Sequence, residues 1–131
     1  MTPILLILTT DFTACSWHED SRSMRELVMA INTGQLRVGE DTFQKMEAQS
    51  ACALPELGVV VVTDEPPLVS LTPRLFQALW NIADGKTASE LAGELKISPR
   101  TVYLHYARLK KAFGVETVAE VLTMAYLYGL V

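Results

Sequence analysis

The chain is 131 residues long, half of them hydrophobic and one fifth charged, with a formal net charge of −4 and a pI near 5.1. That is the size of one ordinary domain or two small ones and the composition of a folded chain, which argues against a disordered tail. The longest apolar run, within PILLILTT near the start, is about eight residues against the roughly 20 that a spanning helix needs, so no membrane segment is expected.

The first Lys or Arg is Arg22, so the start lacks the positive charge of a secretory signal. Cys15 and Cys52 are too few for a disulfide framework, and both are expected as reduced thiols in a cytoplasm.

The first element, PILLILTT, reads as a buried strand because it is short, continuous and rich in Ile and Leu. CSWHED follows at 15 to 20. Cys15 and His18 have zinc-ligand spacing, with Glu19 and Asp20 able to act on a metal-bound water, but a tetrahedral site lacks further ligands. The stretch is read as a polar loop, and no metal is expected. Ser23-Met24-Arg25-Glu26 is a capping box, and Met24, Leu27, Val28 and Ile31 trace one helical face up to Gly34. A second helix is expected from Asp41 to about Ala51, burying Phe43 and Met46, and LGVVVVT is a second buried strand. The expected order is β-α-α-β. Two strands alone make a marginal sheet with exposed edges, so pairing with the same strands of a second chain is expected.

TDEPPLVSLTP then breaks the composition. Pro66 and Pro67 force an extended backbone, which makes residues 64 to 70 the natural linker between a small α/β domain at 1–63 and a second domain at 71–131. Charge changes at the same place. Before Ser70 four basic residues face ten acidic ones; from Ser70 onward seven face five, so the halves differ in sign, −6 against +2.

The second half punctuates itself into four helices. Thr72-Pro73 is an N-cap with proline at the first helical position, and Leu75, Leu79 and Ile82 recur at helical spacing until Gly85. Thr87-Ala88-Ser89-Glu90 is a capping box, with Leu91 and Leu95 as an apolar face. After a very short turn Ser98-Pro99 repeats the cap-plus-proline signature, and Gly114 closes that helix. Thr117-Val118-Ala119-Glu120 opens a last helix that Gly129 ends. Two tightly joined helices, the second opened by Ser-Pro, make a helix-turn-helix candidate.

At 100° per residue, Val102, His105, Tyr106, Leu109 and Phe113 fall within a sector of about 100°, the width of a core-facing stripe. Arg100, Leu104, Ala107, Arg108 and Lys111 point the opposite way, flanked by Tyr103 and Lys110. A solvated face would look the same by composition. Its place, second in a helix-turn-helix, is where a recognition helix enters the major groove.

These residues resemble the LuxR-type helix-turn-helix of LuxR, FixJ and NarL-like bacterial transcription regulators. The matching positions are LTPR at 71 to 74, Ala83 and Gly85, Thr87, Glu90, Leu91 and Ala92, and then ISPRTV, His105, Leu109 and FGV. The resemblance implies that residues 99 to 113 read the major groove and that residues 117 to 131 support dimerisation. Tyr103 and Ala112 stand where the family commonly has lysine, Leu75 where it has glutamate, and Lys96 at a glycine of the turn, a place that calls for φ > 0. The run ELVMAINTGQLRVGEDTFQKM faintly resembles the last receiver helix and linker of NarL-like regulators. The first domain is therefore a dimerisation module or a degenerate receiver-like one. A working receiver needs five strands and an acidic pocket, so phosphoryl acceptance is not expected.

The expected fold class is thus α+β, a small β-α-α-β domain followed by an all-α four-helix domain. Candidate DNA contacts are Thr87, Arg100, Thr101, Tyr103, Leu104, Arg108, Lys110 and Lys111. Thr101 lies early in the helix, where hydroxyl and N–H meet a phosphate; Arg108 suits guanine or phosphate; Leu104 has only a thymine methyl to touch. His105 is read as a packed, hydrogen-bonded core residue. Met124, Leu127, Tyr128 and Val131 form a second apolar strip on the last helix and are the candidate dimer interface.

No nucleophile motif or phosphate-cradling loop appears, and neither an enzyme nor a cofactor is expected. The leading reading is a DNA-binding transcription regulator acting on duplex DNA as a homodimer. The alternative is an interaction module that packs on another transcription regulator without binding DNA.

Overall fold

The structure, a computed structural model, describes residues 3–8, 15–19, 22–35 and 49–131. The chain divides into two compact units, one of residues up to Leu68 joined by Tyr128–Leu130, the other Val69–Leu127 with Val131.

The first unit contains β1 (Ile4–Leu8), β2 (Cys15–Glu19), α1 (Met24–Asn32), β3 (Ser50–Leu54), a 3-10 turn at Pro55–Leu57 and β4 (Val59–Thr63). They build one four-stranded sheet in the order β2-β1-β4-β3. The central pair, β1 and β4, runs parallel, with Leu6 opposite Val61. β2 lies antiparallel on β1, and β3 antiparallel on β4. Gly58, at φ 66, lets the β3–β4 connection reverse within a few residues.

Both inner strands have partners on either side within one chain. This overturns the expected pairing of β1 and β4 with a second molecule. The β-α-α-β order is also corrected to β-β-α-β-β among the described residues. CSWHE is strand β2 rather than a loop. The helix expected at Asp41 to about Ala51 falls mostly on residues outside those described, and its last two residues, Ser50 and Ala51, open β3.

α1 packs across β3 and β4. Its Leu27, Val28 and Ile31 are completely buried, as are Val60 and Val62 of β4, with Ala51 and Ala53 of β3 beside them. The small alanines let the helix lie close over the edge of the sheet, and the β-branched valines fill the pleated surface of the inner strand. On the free side of β3, the Asn32 side-chain amide bonds both backbone groups of Ala51, and the Ala53 N–H donates to the Gly129 carbonyl at 2.7 Å. Gly129 has φ +68, and a Cβ there would stand 2.6 Å from the Cys52 Cβ, so this position accepts only glycine without a shift. The half-buried Cys52 thiol is pushed up by burial.

The second unit is helical: α2 (Pro73–Ala83), α3 (Ala88–Leu95), α4 (Pro99–Phe113) and α5 (Val118–Leu127). The α+β layout with a C-terminal helical domain is therefore as expected. α4 is the hub, packed against α2, α3 and α5. Its core joins Phe76, Ala78 and Leu79 of α2, Leu91 and Leu95 of α3, Val102, Leu109 and Phe113 of α4, and Val121 and Ala125 of α5. No helix among the described residues is long and apolar enough to cross a membrane.

Candidate nucleic-acid interface

Side-chain caps hold α3 and α4 in place. The Thr87 hydroxyl accepts from the Glu90 N–H and the Glu90 carboxylate accepts from the Thr87 N–H, both at 3.2 Å, a reciprocal box that satisfies two orphan donors. α3 ends at Lys96, whose φ of 54 places a residue with a Cβ in the left-handed region. The Ile97 N–H then donates back to the Ala92 carbonyl at 3.0 Å. Ser98 caps α4 by accepting from the Thr101 N–H at 3.2 Å, and Pro99 at the first turn needs no hydrogen bond. Two helices are thus joined by three residues, Lys96 to Ser98.

Arg74 closes the same corner from outside the pair. Its Nη2 donates to the Leu95 carbonyl at 2.8 Å and its Nη1 to the Gln77 Oε1 at 3.2 Å, so a guanidinium from the start of α2 caps the end of α3. In the sequence Arg74 stands out only as part of the LTPR motif. Its partner lies 21 residues away, and nothing local marks the contact.

The two faces of α4 separate as the periodicity predicts. Val102, His105, Leu109 and Phe113 are buried and Tyr106 is half-buried. Arg100, Tyr103, Leu104, Ala107, Arg108 and Lys111 are exposed; Thr101 and Lys110 are intermediate. The Thr101 hydroxyl shares a hydrogen bond with the Ser98 hydroxyl at 3.0 Å, which ties it to the cap. Thr87 is exposed at the start of α3, its oxygen engaged with the Glu90 N–H. Lys110 and Lys111 sit in the last turn, where positive charge complements the helix dipole.

One expectation about this helix fails in part. His105 is buried, but neither ring nitrogen has a hydrogen-bond partner among the described residues. Its neighbours three before and four after, Val102 and Leu109, are buried and apolar and have no polar side-chain atom to offer. Burial, then the charges of Arg108 and Arg74, hold the imidazole below its ordinary pKa. On the outer side Tyr103 meets Tyr106 edge to face, ring centroids 5.7 Å apart. Burial and then Tyr103 push the Tyr106 phenol up.

A capped pair of helices with a three-residue turn, followed by a basic outward face on the second, has the geometry of a major-groove reader. Residues 69–125 match the family model described as bacterial regulatory proteins, luxR family. This segment is a LuxR-type helix-turn-helix domain. No curated protein matches the chain. The domain supports a DNA-binding transcription regulator. Within the LuxR-type segment, α3 and α4 are the helix-turn-helix pair.

On α5, Met124 is half-buried, while Leu127 is 72% exposed. Tyr128 and Val131 are half-buried beyond the end of α5, and Tyr128 groups with the first unit. The four residues expected as one strip thus differ in environment. Among the described residues no three His, Cys, Asp or Glu side chains come together as a metal site.

Proposed function

We propose that the chain is a bacterial, cytoplasmic transcription regulator that binds duplex DNA as a homodimer, with α4 in the major groove and no cofactor. The observation that carries the reading is the outward face of α4. Arg100, Arg108 and Lys111 are exposed there, and no ion pair engages them or Lys110 among the described residues. Cations left without carboxylate partners on a recognition helix suit a polyanion. Thr87 and Thr101, at the starts of α3 and α4, stand where hydroxyl and N–H groups meet phosphate oxygens. Homodimer formation is supported by Tyr126 and Leu127 at the end of α5, two adjacent large side chains both exposed in the single chain.

A second reading has one observation in its favour. Tyr103 and Leu104 are exposed in the middle of the same face, and an aromatic beside arginines is also the composition of a protein-binding hot spot. Binding of the purified chain to duplex DNA against salt concentration separates the two. The DNA reading expects log K to fall with log salt at about −0.9 per phosphate contact; no salt-dependent binding at about 50 mM salt would replace it with the interaction-module reading.

A further inference from the structure

Along α4, Arg100, Leu104 and Arg108 are spaced four residues apart, so they form one row on the helix surface, and Tyr103 and Ala107 form the row beside it. The ends of this face are cationic and its centre is apolar. Leu104 is 47% exposed, Tyr103 is 61% exposed, and Ala107 between them is exposed too. Tyr106, half-buried behind, meets the Tyr103 ring edge-on at 5.7 Å and fixes where that ring stands. The side chains able to make two-pronged hydrogen bonds with a base, Arg100 and Arg108, are eight residues apart, about 12 Å along the helix. Over that span the face offers the Tyr103 hydroxyl and, at its N-terminal end, the Thr101 hydroxyl already shared with Ser98; the rest is carbon.

In the major groove the only apolar group on any base edge of unmodified DNA is the 5-methyl of thymine. From this match we infer that the Tyr103–Leu104–Ala107 strip is a thymine-methyl reader, so that this chain selects its sites by methyl contact at the centre of each half-site rather than by hydrogen bonds there. The flanking arginines make the occupant DNA: a partner seated on the strip has to be anionic at both ends and apolar between, which phosphates around a thymine-bearing groove supply. The inference rests on the DNA-binding reading above and narrows it.

Selection supplies the operator for the test. The full chain selects duplexes from a randomised pool, and the enriched duplex is resynthesised with deoxyuridine at each thymine in turn, which removes one methyl and leaves every hydrogen-bonding group in place. Loss of about 3- to 5-fold in affinity at one or more positions per half-site is expected, the scale of one buried methyl, with the salt slope unchanged because no phosphate contact is lost. In Leu104→Ala, whose side chain lies outside the core, at least one of the same deoxyuridine substitutions should become neutral. Tyr103→Phe should keep the methyl preference, since the ring rather than the hydroxyl makes the contact. Intact salt-dependent binding with deoxyuridine neutral at every position, or a pool from which no sequence preference emerges, overturns the methyl reader and leaves the DNA-binding reading standing. Absence of salt-dependent duplex binding overturns both, and the strip then belongs to a protein partner.

Discussion

Asn32 treats Ala51 as a neighbouring strand would: its Nδ2 donates to the Ala51 carbonyl at 2.8 Å, and its Oδ1 accepts from the Ala51 N–H at 3.2 Å. The same Nδ2 also donates to the Val28 carbonyl at 2.8 Å, which holds the side chain against α1. An edge strand left open is a template for pairing with other chains, and here one side chain closes part of it.

Replacing Asn32 should therefore destabilise the first unit in a graded way. Asn32→Ala leaves two part-buried backbone groups without their partner, at about 1–3 kcal/mol. Asn32→Asp should be worse at neutral pH, because the carboxylate keeps the N–H bond but faces two carbonyl oxygens, and it should recover partly on acidification. Urea unfolding of the full chain at two pH values measures both. Equal stability of the wild type and Asn32→Ala would contradict the role given to this contact.

How far the fold is legible in the sequence follows from how local each signal is. Thr72-Pro73, Thr87 with Glu90, and Ser98-Pro99 act within a single turn, so the helices of the second unit and the two faces of α4 are legible, as is the positive φ required of Lys96. β2 and β3 are not. Both are edge strands, and what makes them strands is a partner elsewhere in the chain; Ala51 and Ala53 have little β propensity and are small because α1 lies over them. Asn32 gives no sign either, since its partner is 19 residues away. For the candidate interface, sequence identifies the exposed residues of α4 but not the bond from Arg74 to Leu95 that closes its corner, nor the lack of partners at His105 among the described residues.

His105 makes the second unit sensitive to acid. Burial, Arg108 and Arg74 lower its folded-state pKa, so the folded protein resists the proton that the unfolded chain takes up as pH falls below about 6.5. The stability associated with the neutral ring is complete above that pH and declines as pH drops from there toward the lower folded value. His105→Leu should remove this decline and, because it removes two unpartnered buried nitrogens, should not destabilise the domain at about pH 7. Thermal melts of both proteins between about pH 5 and 7.5 test it. Arg74→Ala should raise the His105 pKa in an NMR titration and lower stability by about 1–2 kcal/mol through loss of the Leu95 cap.

The dimer proposal puts Leu127 at an interface. The side chain is 72% exposed in the single chain, so Leu127→Lys leaves the core intact and should yield a folded monomer by sedimentation. Its DNA affinity should drop as two half-sites cease to be engaged together. A wild-type chain that sediments as a monomer at micromolar concentration would contradict the proposal, and one that stays dimeric with lysine at 127 would place the interface elsewhere.

The outward cations of α4 separate into those that position the helix and those that read sequence. Lys111, exposed in the last turn, is the candidate for a phosphate contact. Lys111→Ala should weaken binding to all duplexes about equally and flatten the salt slope by about one unit per subunit. Arg108 lies one turn beyond Leu104 on the same row and has the planar fork that suits either guanine or phosphate. If it meets a base, Arg108→Ala should lose discrimination at one position by about 1–3 kcal/mol; if it meets a phosphate, the loss should be uniform. Because the Arg108 charge also opposes protonation of His105, the same variant should raise the His105 pKa whichever contact it makes. A pKa that rises while binding and discrimination stay unchanged would assign Arg108 to the helix's own electrostatics and remove it from the interface.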